Sequence, residues 1–131
     1  MKSSIMMETQ SRKNAAVEFL RLGASGMARE AFSRFVAEDF RHHNPHFPGD
    51  AHSLAAGMAE NAEEFPNMEF EVKHVLAEGD LVAVHSRARL APDRPIMALA
   101  HWFRFEGDRI VELWDIAQPA PENSPNRLGM F

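Results

Sequence analysis

Residues 96–118 read IMALAHWFRFEGDRIVELWDIAQ, and the pattern of this stretch decides the fold class. Two runs rich in apolar and aromatic residues, 96–105 and 109–118, flank the segment Glu106-Gly107-Asp108. A short glycine-containing turn between two strand-like runs is typical of a β-hairpin. The two runs are therefore expected to be antiparallel neighbours.

Asp115 stands out in the second strand. Side chains alternate between the two faces of a strand, which places Asp115 on the face opposite Glu112 and Trp114. Its neighbours on that face are the apolar residues Val111, Leu113 and Ala117. Burial among hydrocarbon disfavours the charged form of a carboxyl group and can leave it ready to transfer a proton near neutral pH. An Asp that only bonds nearby backbone amides is the competing interpretation.

His101 holds the matching position in the first strand. It is the one polar member of the row formed by Met97, Leu99, Phe103 and Phe105. His101 and Asp115 lie at comparable distances along their strands from the turn. They are therefore within reach of a direct or diagonal cross-strand pair. We therefore expect the two side chains to share one pocket.

The composition excludes several classes of protein. A chain of 131 residues is expected to form one domain with its own core. Because it contains no Cys, it cannot form a disulfide framework, use a thiol nucleophile or hold a thiolate metal site. The net charge is -5 and the basic residues are dispersed, so nucleic-acid binding is not expected. With no signal-peptide pattern and no stretch of membrane-spanning length, a cytoplasmic protein that does not enter membranes is expected.

Three amphipathic stretches precede the strands. After a flexible N-terminus over residues 1–10, residues 11–22 predict the first helix. Ser25 is expected to cap a second helix that ends near Ala37, and Ser53 a third helix over residues 54–65. Between them, residues 39–49 read as a short extended piece broken at Pro45.

Strand-like runs dominate the second half of the chain. Residues 68–77 and 81–90 are expected to join the hairpin, and three prolines argue against regular structure in the tail, residues 119–131. Helices followed by antiparallel strands predict an α+β fold, with one domain over residues 11–118. A strongly curved sheet closed by helices would form a cone with an internal apolar cavity, although a completely filled core is the alternative.

Four runs of the sequence carry a family resemblance: His43-Asn44-Pro45, residues 77–85 (AEGDLVAVH), residues 103–112 (FRFEGDRIVE) and residues 114–119 (WDIAQP). From about Phe35 onward the chain resembles the SnoaL-like polyketide cyclases of the nuclear-transport-factor-two-like superfamily. The resemblance implies an α+β cone with an internal cavity. It also implies an intramolecular aldol condensation without metal or cofactor, in which an Asp at the position of Asp115 is the acid/base. Many members of the family have an acidic residue where this chain has His101.

Aldol chemistry assigns roles to these residues. A base must take a proton from the carbon next to a carbonyl, and hydrogen-bond donors must stabilise the resulting enolate oxygen. Asp115 suits the first task, and His101, His43 and His85 are candidates for the second. His43 is expected at the cavity mouth, where it could instead only fix its loop, and the strand parity of His85 is ambiguous. Phe103 is expected to line the cavity and contact the substrate.

Other interpretations remain open at this point. No metal is expected, yet His43, His85, His101 and Asp115 could converge as a His/carboxylate metal site. A ketosteroid-isomerase-like site needs a substitute donor because the chain contains no Tyr. A non-catalytic ligand-binding or dimerisation module of the same fold is the main rival.

The expected partners are a small, apolar, carbonyl-containing ligand and a second copy of the chain. The face that bears Trp102 and Trp114 is expected to be buried in a homodimer. The tail could join in this association, with Met130 and Phe131 docking on an apolar groove, and a frayed terminus is the alternative.

Overall fold

The computed structural model describes residues 2–131, which form three helices and one five-stranded sheet. The elements in chain order are α1 (Lys2–Ala24), α2 (Ala28–Phe35), β1 (Val36–His42), α3 (Ala51–Glu64), β2 (Glu69–Glu78), β3 (Leu81–Arg89), β4 (Met97–Glu106) and β5 (Arg109–Pro119). The strand order is β1-β5-β4-β3-β2. The predicted α+β fold with a curved sheet and helices on one face is confirmed.

Strands β2 to β5 form a continuous antiparallel meander. The bounds of all four agree with the predicted ones to within one residue, because glycine turns and alternating side chains mark them clearly. The sheet is not wholly antiparallel, however. Strand β1 lies at the edge beside β5 and runs parallel to it, a pairing that the sequence pattern did not predict.

Strand β1 begins where the second helix was expected to continue. Helix α2 ends at Phe35, and the chain becomes extended at the β-branched residue Val36. Phe40 and His42 are buried, whereas Arg41 is exposed. Inward and outward side chains continue to alternate beyond the end of β1. This alternation determines which side chains of the next loop point to the interior.

Helix bounds and caps differ from expectation in three places. Helix α1 runs through residues 2–10, which the sequence pattern assigned to a flexible N-terminus, and an ion pair between Arg12 and Glu8 one turn apart (2.9 Å) supports it. The apolar stripe begins only where the helix meets the core, so periodicity could not reveal the earlier turns. Ser25 does not cap α2, since its Oγ donates to the carbonyl of Leu22.

The cap of α3 is Asp50 and not Ser53. The Asp50 carboxylate accepts the backbone N–H of Ser53 over 2.9 Å.

The core lies between the helices and the inner face of the sheet. Phe19 of α1 and Phe103 of β4 are fully buried and pack edge to face, with 5.7 Å between ring centroids. Phe32 of α2 also contacts Phe19. Aromatic side chains therefore fill the space between α1, α2 and β4. Within residues 2–131, no helix is long and apolar enough to cross a membrane.

Candidate functional site

The β4–β5 hairpin places His101 directly opposite Asp115, which confirms the predicted cross-strand pair. A β-bulge sets this register. Phe105 pairs with Ile110, whereas Arg104 pairs with Glu112, so Val111 is an extra residue on β5. Without the bulge, Ala100 would lie opposite Asp115. The bulge thus brings the two polar side chains of the inner face together.

Asn44 holds the carboxylate of Asp115. Its Nδ2 donates to Asp115 Oδ2 over 2.9 Å, while its Oδ1 accepts the backbone N–H of His46 at 2.9 Å. The second bond fixes the orientation of the amide, so that the donor side faces Asp115. Asp115 itself is half-buried rather than fully enclosed, and among the described residues no group donates a hydrogen bond to its other oxygen, Oδ1. One oxygen is therefore anchored, and the other keeps its capacity to accept a hydrogen bond.

His42 fixes the loop that carries Asn44. The His42 ring is buried, its Nε2 donates to the carbonyl of Pro48 over 2.7 Å, and its Nδ1 accepts the backbone N–H of Asn44 over 3.1 Å. One ring nitrogen must donate and the other accept, so these bonds select the neutral tautomer protonated at Nε2. His42 thereby acts as a positioning residue for the amide that holds Asp115.

His101 is a neutral imidazole at physiological pH. Burial lowers its pKa from the ordinary value of 6.5 to about 4, although the negative charge of Asp115 opposes this effect. Its ring stacks on Phe103 with centroids 6.1 Å apart. Its Nδ1 is buried and has no hydrogen-bond partner among the described residues. An unpaired polar nitrogen in a buried position is uncommon and marks a position where a bound molecule could supply the partner.

Two cavities meet at Asn44, His101 and Asp115. The inner cavity, of about 280 Å³, extends under α1 and α3. The outer cavity, of about 370 Å³, opens at the loop that contains Pro45 and His46. Apart from the three shared residues, the inner cavity is lined by Phe19, Leu20, Phe47, Leu54, Gly57, Met58, Asn61 and Leu113. The shared polar residues therefore lie between an apolar chamber and its entrance. The volumes of the two cavities suit a small ligand.

Phe47 covers part of the inner cavity by lying on Gly57. A Cβ atom at Gly57 would come within 2.3 Å of Cε1 of the Phe47 ring. Only glycine at this helical position allows the ring to pack there. The loop that positions Asn44 thus also sets the shape of the cavity beside it.

His43 lies on the opposite face of the sheet, so the expectation that it reaches the pocket is wrong. Its ring stacks on Trp114 at 5.1 Å, and its Nε2 contacts Glu112 Oε2 at 2.7 Å. The carboxylate of Glu112 also accepts hydrogen bonds from Arg41 and Arg104. The hydrogen bonds from Arg41, His43 and Arg104 lower the pKa of Glu112 to about 2. Residues 42 and 44 face the interior, and strand alternation turns the intervening residue outward.

His85 and Phe103 also depart from their predicted places. His85 packs on the outer face between His74 and Phe131, with ring centroids 5.3 Å and 5.5 Å away, so it does not reach Asp115. Phe131 of the C-terminal tail therefore lies against the outer face of its own chain. Phe103 shares a face with His101 but is fully buried below it, and it does not line either cavity.

The four-residue metal cluster considered above does not assemble, because His43 and His85 are on the outer face. Among residues that the structure describes, no group of three or more His, Asp or Glu side chains could hold a metal ion.

Asn44 is the site residue that sequence reasoning missed. The sequence pattern favoured the neighbouring His43, because imidazole is a common catalytic group. The alternation of Phe40, His42 and Asn44 with Arg41 and His43 was visible in the sequence, and the apolar Phe40 marks the inward set.

Comparison with known families agrees with this fold. The SnoaL-like domain family matches residues 16–113, about three quarters of the chain, and the chain belongs to this family. The match ends two residues before Asp115. No curated protein shows significant sequence similarity to the chain.

Solved structures show the same fold at low sequence identity. A protein from Jannaschia sp. CCS1 assigned as a SnoaL-like polyketide cyclase is 19% identical, with a TM-score of 0.71, over 84% of this chain and 87% of that one. AclR from Streptomyces galilaeus, assigned as a hydroxylase, is 20% identical with a TM-score of 0.71, over 84% and 90%. A protein from Kribbella flavida DSM 17836 assigned as a ketosteroid isomerase is 20% identical with a TM-score of 0.69, over 92% and 87%. These three proteins are assigned different chemistries, so the likeness shows the fold alone.

Proposed function

We propose that the protein is an acid/base enzyme that removes a proton from the carbon next to a carbonyl in a small, largely apolar substrate. The observation that carries this proposal is the Asp115 carboxylate, which is anchored through Oδ2 by Asn44 and lines both cavities. A general base must be held in place and yet reach the substrate. This arrangement meets both needs.

The proposed reaction has balanced proton transfers and uses only side chains of the site. Asp115 takes the proton from the α-carbon, and the electron pair moves onto the carbonyl oxygen as an enolate. The enolate carbon then either regains a proton at another position or attacks a second carbonyl to form a carbon–carbon bond. In the aldol case the new alkoxide takes the proton back from Asp115. No redox partner is needed at any step.

Neutral donors are available for the enolate oxygen. The low pKa of His101, about 4, keeps it uncharged, so one ring nitrogen can donate a hydrogen bond without bringing a proton that would neutralise Asp115. Asn44 has a second N–H on the Nδ2 that binds Asp115. Donors aimed at a developing negative charge in a site of low dielectric lower the barrier substantially.

The lining of the cavities supports an uncharged carbonyl substrate. Neither cavity has a Lys or Arg among its described lining residues, so no permanently charged side chain there pairs with a phosphate or carboxylate group. The inner chamber is mainly apolar, and its volume of about 280 Å³ suits a body of one or two rings. The wider mouth at Pro45 and His46 can accept a more polar part of the substrate.

Hydrogen–deuterium exchange tests this proposal without knowledge of the natural substrate. A panel of compact ketones and β-keto esters, including acetophenone and 1-indanone, is incubated in D₂O, and loss of the α-proton signal is followed by NMR. We expect the protein to accelerate exchange for at least one compound that it binds, and Asp115→Asn to remove that acceleration. Binding without accelerated exchange across the panel would favour the non-catalytic ligand-binding module.

The homodimer remains a separate proposal. Trp102 and Ile116 lie on the outer face and are 36% and 62% exposed, which is high for large apolar side chains on a sheet. A second copy packed on this face would bury them, and isologous contacts of this kind are the commonest in homodimers.

A further inference from the structure

The outer face of the sheet carries a further cavity, separate from the two at Asp115. Its volume is about 550 Å³, larger than either cavity beside Asp115. Its floor includes Arg87, Ala98 and Gln118, which pair in one row across β3, β4 and β5. The C-terminal tail forms the other wall, with Met130 and Phe131 at its end. The sheet itself lies between this cavity and Asp115.

Arg87 is a partly buried cation without a hydrogen bond. Its side chain is 22% exposed, its nearest carboxylate oxygen is Glu69 Oε1 at 3.8 Å, and among the described residues nothing accepts a hydrogen bond from it. The other arginines of this face differ. Arg104, at 27% exposure, donates to Glu112, and Arg89 donates to the carbonyls of Pro92 and Arg94. Glu71 lies directly opposite Arg87 on β2 but pairs with Lys73, so Arg87 is balanced only by its loose contact with Glu69. Its N–H donors therefore remain free to pair with a further anion.

The remaining wall suits a flat apolar body. The rings of His85 and Phe131 stack 5.5 Å apart at an angle of 29°, and His85 is fixed from its other side by a 3.1 Å contact between its Nδ1 and that of His74. Ile96 and Ala98 add aliphatic surface. An aromatic wall, an aliphatic floor and one cation together match a ligand with a hydrocarbon body and a single carboxylate.

We propose that this cavity on the outer face of the sheet is a second small-molecule site, which binds an apolar carboxylate whose charged group pairs with Arg87. The site does not depend on catalysis at Asp115. It adjoins the proposed dimer face, because Gln118 of its floor lies two residues along β5 from Ile116.

Binding of 2-naphthoate to the full ¹⁵N-labelled chain tests this inference. We expect chemical-shift changes at Ala98, Gln118 and Phe131. Arg87→Gln should weaken binding about tenfold to a hundredfold, because a hydrogen bond to a charged group is being removed. The neutral analogue 2-naphthamide should bind the unaltered protein more weakly than 2-naphthoate, and Arg87→Gln should abolish that preference. Arg21→Gln, which removes an exposed arginine of α1, is the matched control and should change neither affinity.

Several results would overturn the proposal. These are no binding of 2-naphthoate up to millimolar concentration, equal affinity in Arg87→Gln, or shift changes confined to Asn44 and His101 on the inner face. Asp115→Asn should bind 2-naphthoate as the unaltered protein does. A loss of binding in that variant would place the ligand in the inner cavity and also count against the second site.

Discussion

Replacing His101 with Gln is expected to remove a large part of the pH dependence of stability. The pKa of His101 is about 4 in the folded protein and has an ordinary value of 6.5. Below pH 6.5 the unfolded chain therefore binds a proton at this position that the folded chain does not bind. The stability that the neutral His101 contributes is fully present above pH 6.5 and is lost as the pH falls toward 4.

The size of this loss follows from the two pKa values. One pKa unit corresponds to 1.36 kcal/mol, so the difference between 6.5 and about 4 amounts to about 3 kcal/mol. Gln has no titrating group in this range and keeps a polar amide in the pocket. From pH 7 to pH 4 the unaltered protein should lose about 3 kcal/mol more unfolding free energy than His101→Gln. All other titrating groups are common to the two proteins.

Urea unfolding at pH 7, 5.5 and 4 measures this difference, and NMR of the imidazole nitrogens follows the titration of His101 directly. The ring should remain neutral at pH 5. An equal loss of stability in both proteins, or a titration midpoint of His101 near 6.5, would refute the conclusion that burial controls this residue.

Three further changes have defined outcomes. Glu112→Gln should lower the unfolding free energy at pH 7 by about 2–3 kcal/mol, and the difference from the unaltered protein should shrink as the pH falls from 4.5 toward 2, because the carboxylate with the lowered pKa is then protonated in both states. Gly57→Ala should destabilise the protein by about 1–3 kcal/mol in urea unfolding, despite the better helix propensity of Ala, because its Cβ displaces the Phe47 ring. A neutral or stabilising effect would show that the ring moves away freely. Trp102→Glu should convert a dimer into a monomer in sedimentation at micromolar concentration, and a monomeric unaltered protein would contradict the dimer proposal.

The pairing of His101 with Asp115 could be predicted because it depends on local signals. A glycine turn fixes where the hairpin folds, and alternation then assigns each side chain to a face. The β-bulge near Arg104 could not be read from the sequence, and it decides whether His101 lies opposite Asp115 or opposite Trp114. The hairpin and the similar distance of His101 and Asp115 from its turn were therefore predictable. The exact pairing of residues across the two strands was not.

Short-range sequence patterns could not predict the parallel edge strand β1 or the role of Asn44. Parallel pairing with β5 joins residues about 70 positions apart, and no turn marks it. His43 was misplaced for the same reason, since the face to which it points depends on a strand that was expected to be partly helical. Once β1 is known, the buried Phe40 shows that the even-numbered side chains from 40 to 44 point inward, which includes Asn44.

The most direct test of the central claim compares Asp115→Asn with Asp108→Asn, which makes the same substitution at an exposed turn of the same hairpin. The measurement is the rate of α-proton exchange in D₂O for a ketone that the unaltered protein accelerates. A general base typically contributes about a hundredfold to ten-thousandfold in rate, so Asp115→Asn should lose at least about a hundredfold while Asp108→Asn keeps the full rate. Equal exchange rates in the two folded variants would contradict the assignment of Asp115 as the base.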